Sequence, residues 1–351
     1  MNTTSHVEKL ISDGENKMLR LIAILTLVAL IGCEGKKKPV QTEFTDTFKK
    51  NKEIDLEPFS VYEIRYLDIN SNNDLLITNR RRTEVFLFDS LGKVKTRLSE
   101  ELSKEFPGAN WKPYQAYFTA NDEIFVANGA PWGIWFNRDG SFKKMMPKEY
   151  WGTPDLAFDK QDHIYSMNKN QRGLFIEKYD SSGSFVHKIS ELDSTNRNIM
   201  RRAIIGNNIL VADGNLFFKN LSKPNLYEYN LSGKLLNTFS EKPGYYKEPE
   251  QDISSLEQSG QRILSQNIFD FARKYTANYS LHHLDEELIL IQYVNMGENY
   301  GHQILTTDGE YILDYDLQTN NKIMAAKNGY VYTITENDST TPTINEFEFI
   351  R

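Results

Sequence analysis

From Lys52 onward, apolar residues come in short runs of about four to six, each closed by Asn, Asp, Gly or Ser. Such runs, bounded by turn-forming residues and rich in Ile, Val, Leu and Tyr, predict strands. One pattern recurs six times, a polar turn followed by an apolar run. It reads "NNDLLITN" (Asn72 to Asn79), "NDEIFVAN" (Asn121 to Asn128), "QDHIYSMN" (Gln161 to Asn168), "NNILVAD" (Asn207 to Asp213), "DEELILIQ" (Asp285 to Gln292) and "KNGYVYTIT" (Lys327 to Thr335).

A second pattern follows the first five of these: an aromatic or aliphatic residue, a short polar stretch and then Gly. It ends at Gly92, Gly140, Gly183, Gly233 and Gly309. Asp or Asn bonds its own backbone two residues on, and Gly takes the positive φ of a tight hairpin, so each instance predicts a strand turned back on itself. The two patterns divide each unit into four strands, as in "DLAFD", "HIYSMN", "LFIEKYD" and "FVHKIS" of the third. A lone four-stranded sheet buries too little to stand by itself, so the units must stack around an axis. The expected fold is all-β, a six-bladed β-propeller of four-stranded antiparallel blades over residues 52–351.

The sixth unit supplies only three strands before Arg351. "KEIDLEPF" (Lys52 to Phe59) precedes the first unit without a partner and is expected to complete the sixth. The interval from Gly233 to Gly309 is 76 residues, against 43 to 50 for the others. Its excess, about 240–278, spaces Ile253, Leu256, Ile263, Leu264, Ile268, Phe271 and Tyr275 mostly by three or four, which predicts a helical insertion between blades 4 and 5.

The segment ahead of the strands is different. Met18-Leu19-Arg20 leads into the uncharged run Leu21 to Ile31, too short to span a bilayer and of the length of a secretory signal core. Leu30-Ile31-Gly32-Cys33 contains the chain's sole cysteine and resembles the lipobox of bacterial lipoproteins. That resemblance implies a signal peptide over 1–32, acylation of Cys33 and attachment to a lipid bilayer in the envelope of a Gram-negative-type bacterium. Met1 to Lys17 are polar and precede the signal-like run, which makes Met18 a candidate start. Glu34 stands where lipoproteins kept at the inner membrane carry aspartate, so the resemblance points to the outer membrane. Residues 33–51 then form a polar tether, with Lys36 to Lys38 next to the head groups. Without a second cysteine no internal disulfide is available. The net charge of −7 and the lack of a long basic run exclude nucleic acid as the expected partner.

The six turns, the "FDSLG" and "YDSSG" hairpins and the lipobox together resemble six-bladed propeller lipoproteins related to NHL-repeat and TolB-type propellers. Such a fold hosts binding modules and enzymes alike, so function has to be read from sites. The connections after the second and fourth strands of each unit vary in length, and variable loops on a rigid scaffold are where recognition sits. Arg80, Arg81 and Arg82 fall on one such connection, with Lys169 and Arg172 on its counterpart in blade 3; guanidinium clusters grip carboxylate or phosphate, although such runs commonly form solvated turns. Trp111, Trp132 and Trp151, with Tyr114, are candidates for stacking on a sugar ring or an apolar side chain; packing between blades is their alternative role.

At the channel mouth the first strands contribute Asp68, Asp155, Arg202 and Lys322. Two acids opposed by two bases make a poor cage for calcium, which takes six to eight oxygens, so no cofactor and no metal ligand is predicted. His282-His283 point to opposite faces of a strand and do not share an ion. No H-E-x-x-H, G-x-S-x-G, P-loop or G-x-G-x-x-G motif appears. The sequence therefore reads as a membrane-anchored binding or scaffolding propeller for a partner protein, glycan or small ligand. A propeller hydrolase or lyase with a divalent ion such as calcium in the channel mouth is the alternative.

Overall fold

A computed structural model of the chain describes residues 40–59, 61, 63–79, 84–109, 111–128, 132–147, 155–170, 173–191, 208–219, 224–247, 276–295, 299–319, 322–335 and 342–350. The chain enters through β1 (Val40–Thr42), the single-turn helix α1 (Phe44–Thr47) and β2 (Phe48–Asp55). Blade 1 is β3 (Ile64–Ile69), β4 (Leu75–Asn79), β5 (Val85–Phe88) and β6 (Val94–Arg97), followed by α2 (Leu98–Glu105). Blade 2 is β7 (Pro113–Phe118), β8 (Ile124–Asn128), β9 (Trp132–Phe136) and β10 (Phe142–Pro147). Blade 3 is β11 (Leu156–Phe158), β12 (Ile164–Asn170), β13 (Gly173–Tyr179) and β14 (Phe185–Glu191). Blade 4 is β15 (Ile209–Ala212), β16 (Asn215–Lys219), β17 (Leu226–Asn230) and β18 (Leu235–Phe239). Blade 5 is β19 (Thr276–Asp285), β20 (Leu288–Asn295), β21 (Asn299–Thr306) and β22 (Tyr311–Thr319), and blade 6 begins with β23 (Ile323–Lys327), β24 (Tyr330–Thr335) and β25 (Thr343–Phe349). Within each blade the strands pair antiparallel in chain order, inner to outer.

The outer strand of blade 6 is β2, paired antiparallel with β25 from Phe48↔Phe349 to Asp55↔Thr343. The closing strand thus starts four residues before the segment expected from sequence. The expected tether over 33–51 is also shorter than read: from Val40 on, the chain is built into the sheets, because Phe44 and Phe48 are apolar anchors within an otherwise polar stretch. They stack on each other at 4.6 Å, and both are buried between blades 5 and 6. β1 adds a fifth strand to blade 5, parallel to β22.

Blade 4 departs from the sequence reading by one strand. "NNILVAD" holds β15, the innermost strand, and the hairpin that follows it is Asp213-Gly214 with φ of +48° and +71°. Two consecutive positive-φ residues of the Asp-Gly type make a two-residue hairpin, a stronger local signal than the preceding Asn pair. Asn328-Gly329 makes the same turn in blade 6 (φ +56° and +79°). Most of the expected insertion, 248–275, lies outside the described residues.

Second strands are buried on both sides, which is why they read as unbroken apolar runs: every residue from Leu75 to Thr78 and from Ile124 to Asn128 is buried. Outer strands such as β18 are mostly exposed. Among the described residues the buried core divides into six clusters, each between adjacent blades. Phe86 and Phe88 of blade 1 meet Tyr332 and Ile344 of blade 6 in one of them, and Tyr165 and Met167 of blade 3 meet Phe218 of blade 4 in another. The ring is held by these interfaces rather than by any single blade, consistent with stacked-repeat architecture.

One side of the ring, here the turn face, carries the turns between first and second and between third and fourth strands. The opposite loop face carries the other connections. The turn face is tied blade to blade. Asn328 Nδ2 donates to Asn73 Oδ1 (2.7 Å), Ser71 N to Asp122 Oδ1 (3.0 Å) and Asn121 Nδ2 to Asp162 Oδ1 (2.9 Å). Asn73, Asp122 and Asp162 all sit at φ near +60°, a conformation their short polar side chains tolerate.

Candidate functional site

Three groups of polar residues are candidates: the loop-face residues singled out from sequence, an inner-strand row of carboxylates, and a buried cluster between blades 4 and 5. Of the first, Arg80, Arg81, Arg82, Trp151 and Arg172 lie outside the described residues, as do Cys33 and Arg202. Trp132 opens β9 and Lys169 lies near the end of β12, both toward the loop face. Trp111 is not an open platform. Its half-buried indole packs against the cluster between blades 1 and 2 and meets Phe136 edge-on at 6.4 Å. Tyr114, on β7, lies under the Arg65 guanidinium at 5.7 Å, so it bridges neighbouring inner strands instead of standing free. Lys322 Nζ lies 5.4 Å from the centre of the Tyr279 ring.

The inner-strand row links blades 1 to 4. Asp68 lies two residues before the turn at Asn70, hence toward the turn face and not at the loop-face mouth where the sequence reading put it. Its Oδ1 accepts from Ile69 N (2.8 Å) and its Oδ2 from Phe118 N of blade 2 (2.7 Å). Asp155, just before β11, is buried and accepts from both Asn208 N (3.0 Å) and Asn208 Nδ2 (2.9 Å) of blade 4. Asn208 thus stands at the entry to β15, the innermost described strand of blade 4. Between the two acids stands Tyr117, whose hydroxyl donates to Gln115 Oε1 at 2.8 Å and is pushed up by burial, with the charges of Asp155 and Asp68 adding to the effect.

Burial dominates both carboxyls. Asp68 is pushed up to about 6, with Lys327 opposing the shift, and Asp155 to about 7, against the pull of Asn208. These acids latch strand to strand through N–H donors, and their oxygens face donors rather than each other. Calcium requires six to eight oxygens, and this donor-filled arrangement does not fit it. Among the described residues no group of three or more His, Cys, Asp or Glu is placed to hold a metal ion.

A raised carboxyl pKa means the folded state binds more protons than the unfolded chain between about pH 4 and 7, so stability is lost as pH rises through that window. Asp155→Asn keeps an acceptor for Asn208 but carries no charge. The stability difference between variant and wild type, from urea unfolding, should grow in the variant's favour by about 2–4 kcal/mol from pH 4.5 to pH 8. A difference independent of pH would show that Asp155 is not a desolvated acid.

The third group has no counterpart among the residues that the sequence singles out. Lys219 ends β16 at the loop face and is fully buried. Its Nζ donates to Pro224 O (2.7 Å) and Tyr293 OH (2.8 Å), and Tyr293 OH donates to Gln303 Oε1 (2.7 Å). Burial holds this amine well below the ordinary ammonium range. Tyr245 and Tyr246 meet the Tyr293 ring edge-on at 6.1 and 5.6 Å. Asp314, across the strand from Gln303, is pushed up to about 6 by burial. No local signal marks Lys219, since a lysine ending an apolar strand more often runs its stem along the sheet and keeps its charge in water.

No protein-family model matches the chain, and no curated protein sequence matches it. Solved structures do. A "putative exported protein" of Bacteroides fragilis superposes with a TM-score of 0.62 at 9% identity, covering 90% of this chain and 98% of its own. A member of the DUF4221 family from Bacteroides vulgatus superposes with a TM-score of 0.58 at 11% identity, covering 87% and 98%. At these identities the likeness establishes the six-bladed fold.

Proposed function

We propose that this chain is an exported propeller lipoprotein, anchored through Cys33 in the outer membrane, whose loop face binds a partner protein, glycan or small ligand. The observation that carries this reading is the inequality of the two faces. Hydrogen bonds between successive blades close much of the turn face with short, stereotyped turns. The loop face keeps the connections that vary in length, from the two residues between Asn170 and Gly173, one of them Arg172, through the one with Arg80 to Arg82, to the stretch between β18 and β19, and Trp132 and Lys169 lie toward it. The likeness to a protein named for export and the lipobox-like Leu30 to Cys33 support the location.

The test is affinity capture of the full chain from cross-linked envelope fractions, comparing wild type with the double variant Arg81→Ala/Trp132→Ala and with Cys33→Ser. Wild type should fractionate with membranes and retain partners. The double variant should stay in the membrane fraction and lose at least ten-fold of the captured species. Cys33→Ser should appear in the soluble fraction. Unchanged capture by the double variant would remove the loop-face assignment.

A further inference from the structure

The register of β1 bears on how the ring stands on a bilayer. β1 runs parallel to β22, with Val40 opposite Leu313 and Thr42 opposite Tyr315. β22 starts at Tyr311, directly after the Gly309 turn on the turn face, and runs to Thr319 toward the loop face. Val40, the first described residue, therefore lies at the turn-face end of β1, at the outer edge of blade 5.

Length decides the rest. Cys33 precedes Val40 by seven residues, a reach of about 25 Å at full extension. Leu313 is two residues above the start of β22, about 7 Å of strand, so a tether continuing in the direction of β1 clears the turn face by about 18 Å. Doubling back past the six residues from Leu313 to Thr319 would use about 20 Å of that reach and leave almost none for insertion.

An independent observation marks the same end. Among the described residues, six of the seven large exposed hydrophobic side chains lie at the turn end of their strands. Leu91 (75% exposed) is in the β5–β6 turn, Phe185 and Val186 open β14, Leu235 and Leu236 open β18, and Ile350 follows β25. Charges of both signs surround them, including Lys93, Asp139, Glu286 and Lys234, so attraction to anionic head groups does not explain the placement. Apolar side chains collected at the end from which a lipid tether leaves fit the interfacial zone of a bilayer.

We infer that the turn face is the membrane-facing side of the ring, with Leu91, Phe185 and Leu235 contacting lipid and the loop face presented away from the bilayer. This rests on the reading that Cys33 is acylated. An acylated Cys33 carries no free thiol, so a cysteine introduced elsewhere is the single labelling site. The experiment places a fluorophore at Leu91→Cys, Leu235→Cys or Glu105→Cys, the last on exposed α2 beyond β6 at the loop end. Each lipidated full chain is reconstituted in phosphatidylethanolamine/phosphatidylglycerol vesicles containing a bilayer-embedded quencher. Quenching at 91 and 235 at least five-fold stronger than at 105 is expected. Stronger quenching at 105, or equal quenching at all three sites, overturns the orientation. If the wild-type chain does not float with vesicles, acylation has failed as a premise. The same labels are then read on the Cys33→Ser chain with hexahistidine inserted after residue 33, bound to nickel-chelating lipid, and the same contrast between sites decides the orientation.

Discussion

Gly309→Ala is expected to lower the unfolding free energy by about 3–5 kcal/mol, while Gly214→Ala costs only about 1–2 kcal/mol. Both glycines have positive φ, +89° and +71°, so both substitutions carry the backbone penalty of a left-handed residue. They differ in what surrounds them. A Cβ on Gly309 would lie 2.0 Å from Phe239 Cε1, on the outer strand of blade 4, whereas nothing lies within 4 Å of one on Gly214. The Phe239 ring packs against the cluster between blades 4 and 5, so displacing it disturbs a blade interface. The same contact recurs around the ring: Gly92 sits on Ile54, Gly140 on Thr96, Gly183 on Met146 and Gly233 on Ile189, each on the outer strand of the preceding blade. Urea unfolding of the two variants measures the contrast. Equal losses would mean that these glycines serve the hairpin alone and contribute nothing to packing between blades.

That recurrence explains why the fold could be read from the sequence. The repeated glycine meets a conformational and a packing demand at once, and neither tolerates another residue cheaply, so the repeat stands out although the strands between vary. The doubly buried second strands carry an equally plain mark. Blade 4 reads one strand out of step because Asn207-Asn208 imitates the polar turn that precedes the second strand elsewhere, while Asn208 serves as the donor pair for buried Asp155. The start of the closing strand is masked for a related reason. "FTDTFKKNK" is polar on average, and its two anchors, Phe44 and Phe48, are four apart across a helical turn and match no strand alternation. The candidate sites were less legible still. Asp68 and Asp155 were identified as inner-strand acids, but their partners Phe118 N and Asn208 come from neighbouring blades, 50 and 53 residues away. Lys219 and Tyr293 are 74 apart and share no motif. Contacts between blades depend on how the sheets stack, and a single unit's pattern does not encode that.

Removing residues 40–55 is expected to abolish the monomeric, cooperatively unfolding state, and a synthetic peptide spanning 44–57 to restore it. Without β2, β25 becomes an open edge from Thr343 to Phe349, the kind of unpaired strand that recruits another chain. The more specific cost is at Glu346, which is buried. Its carboxylate accepts from Lys52 Nζ (2.6 Å), Asn51 Nδ2 (2.6 Å) and Tyr332 OH (2.5 Å), and two of those three donors arrive with β2. Leaving a buried charge without its partners costs about 3–5 kcal/mol, to be added to the apolar surface of Phe44, Phe48 and Ile54 that would be re-exposed. Together these approach the whole stability of an ordinary domain, about 5–15 kcal/mol. Sedimentation should show the truncated chain as oligomers, and the added peptide should return it to monomer with a single unfolding transition. Combining the truncation with Glu346→Gln should recover part of the loss, since the amide needs no counter-charge. A truncated chain that stays monomeric and unfolds at the wild-type midpoint would show that blade 6 does not depend on its N-terminal strand.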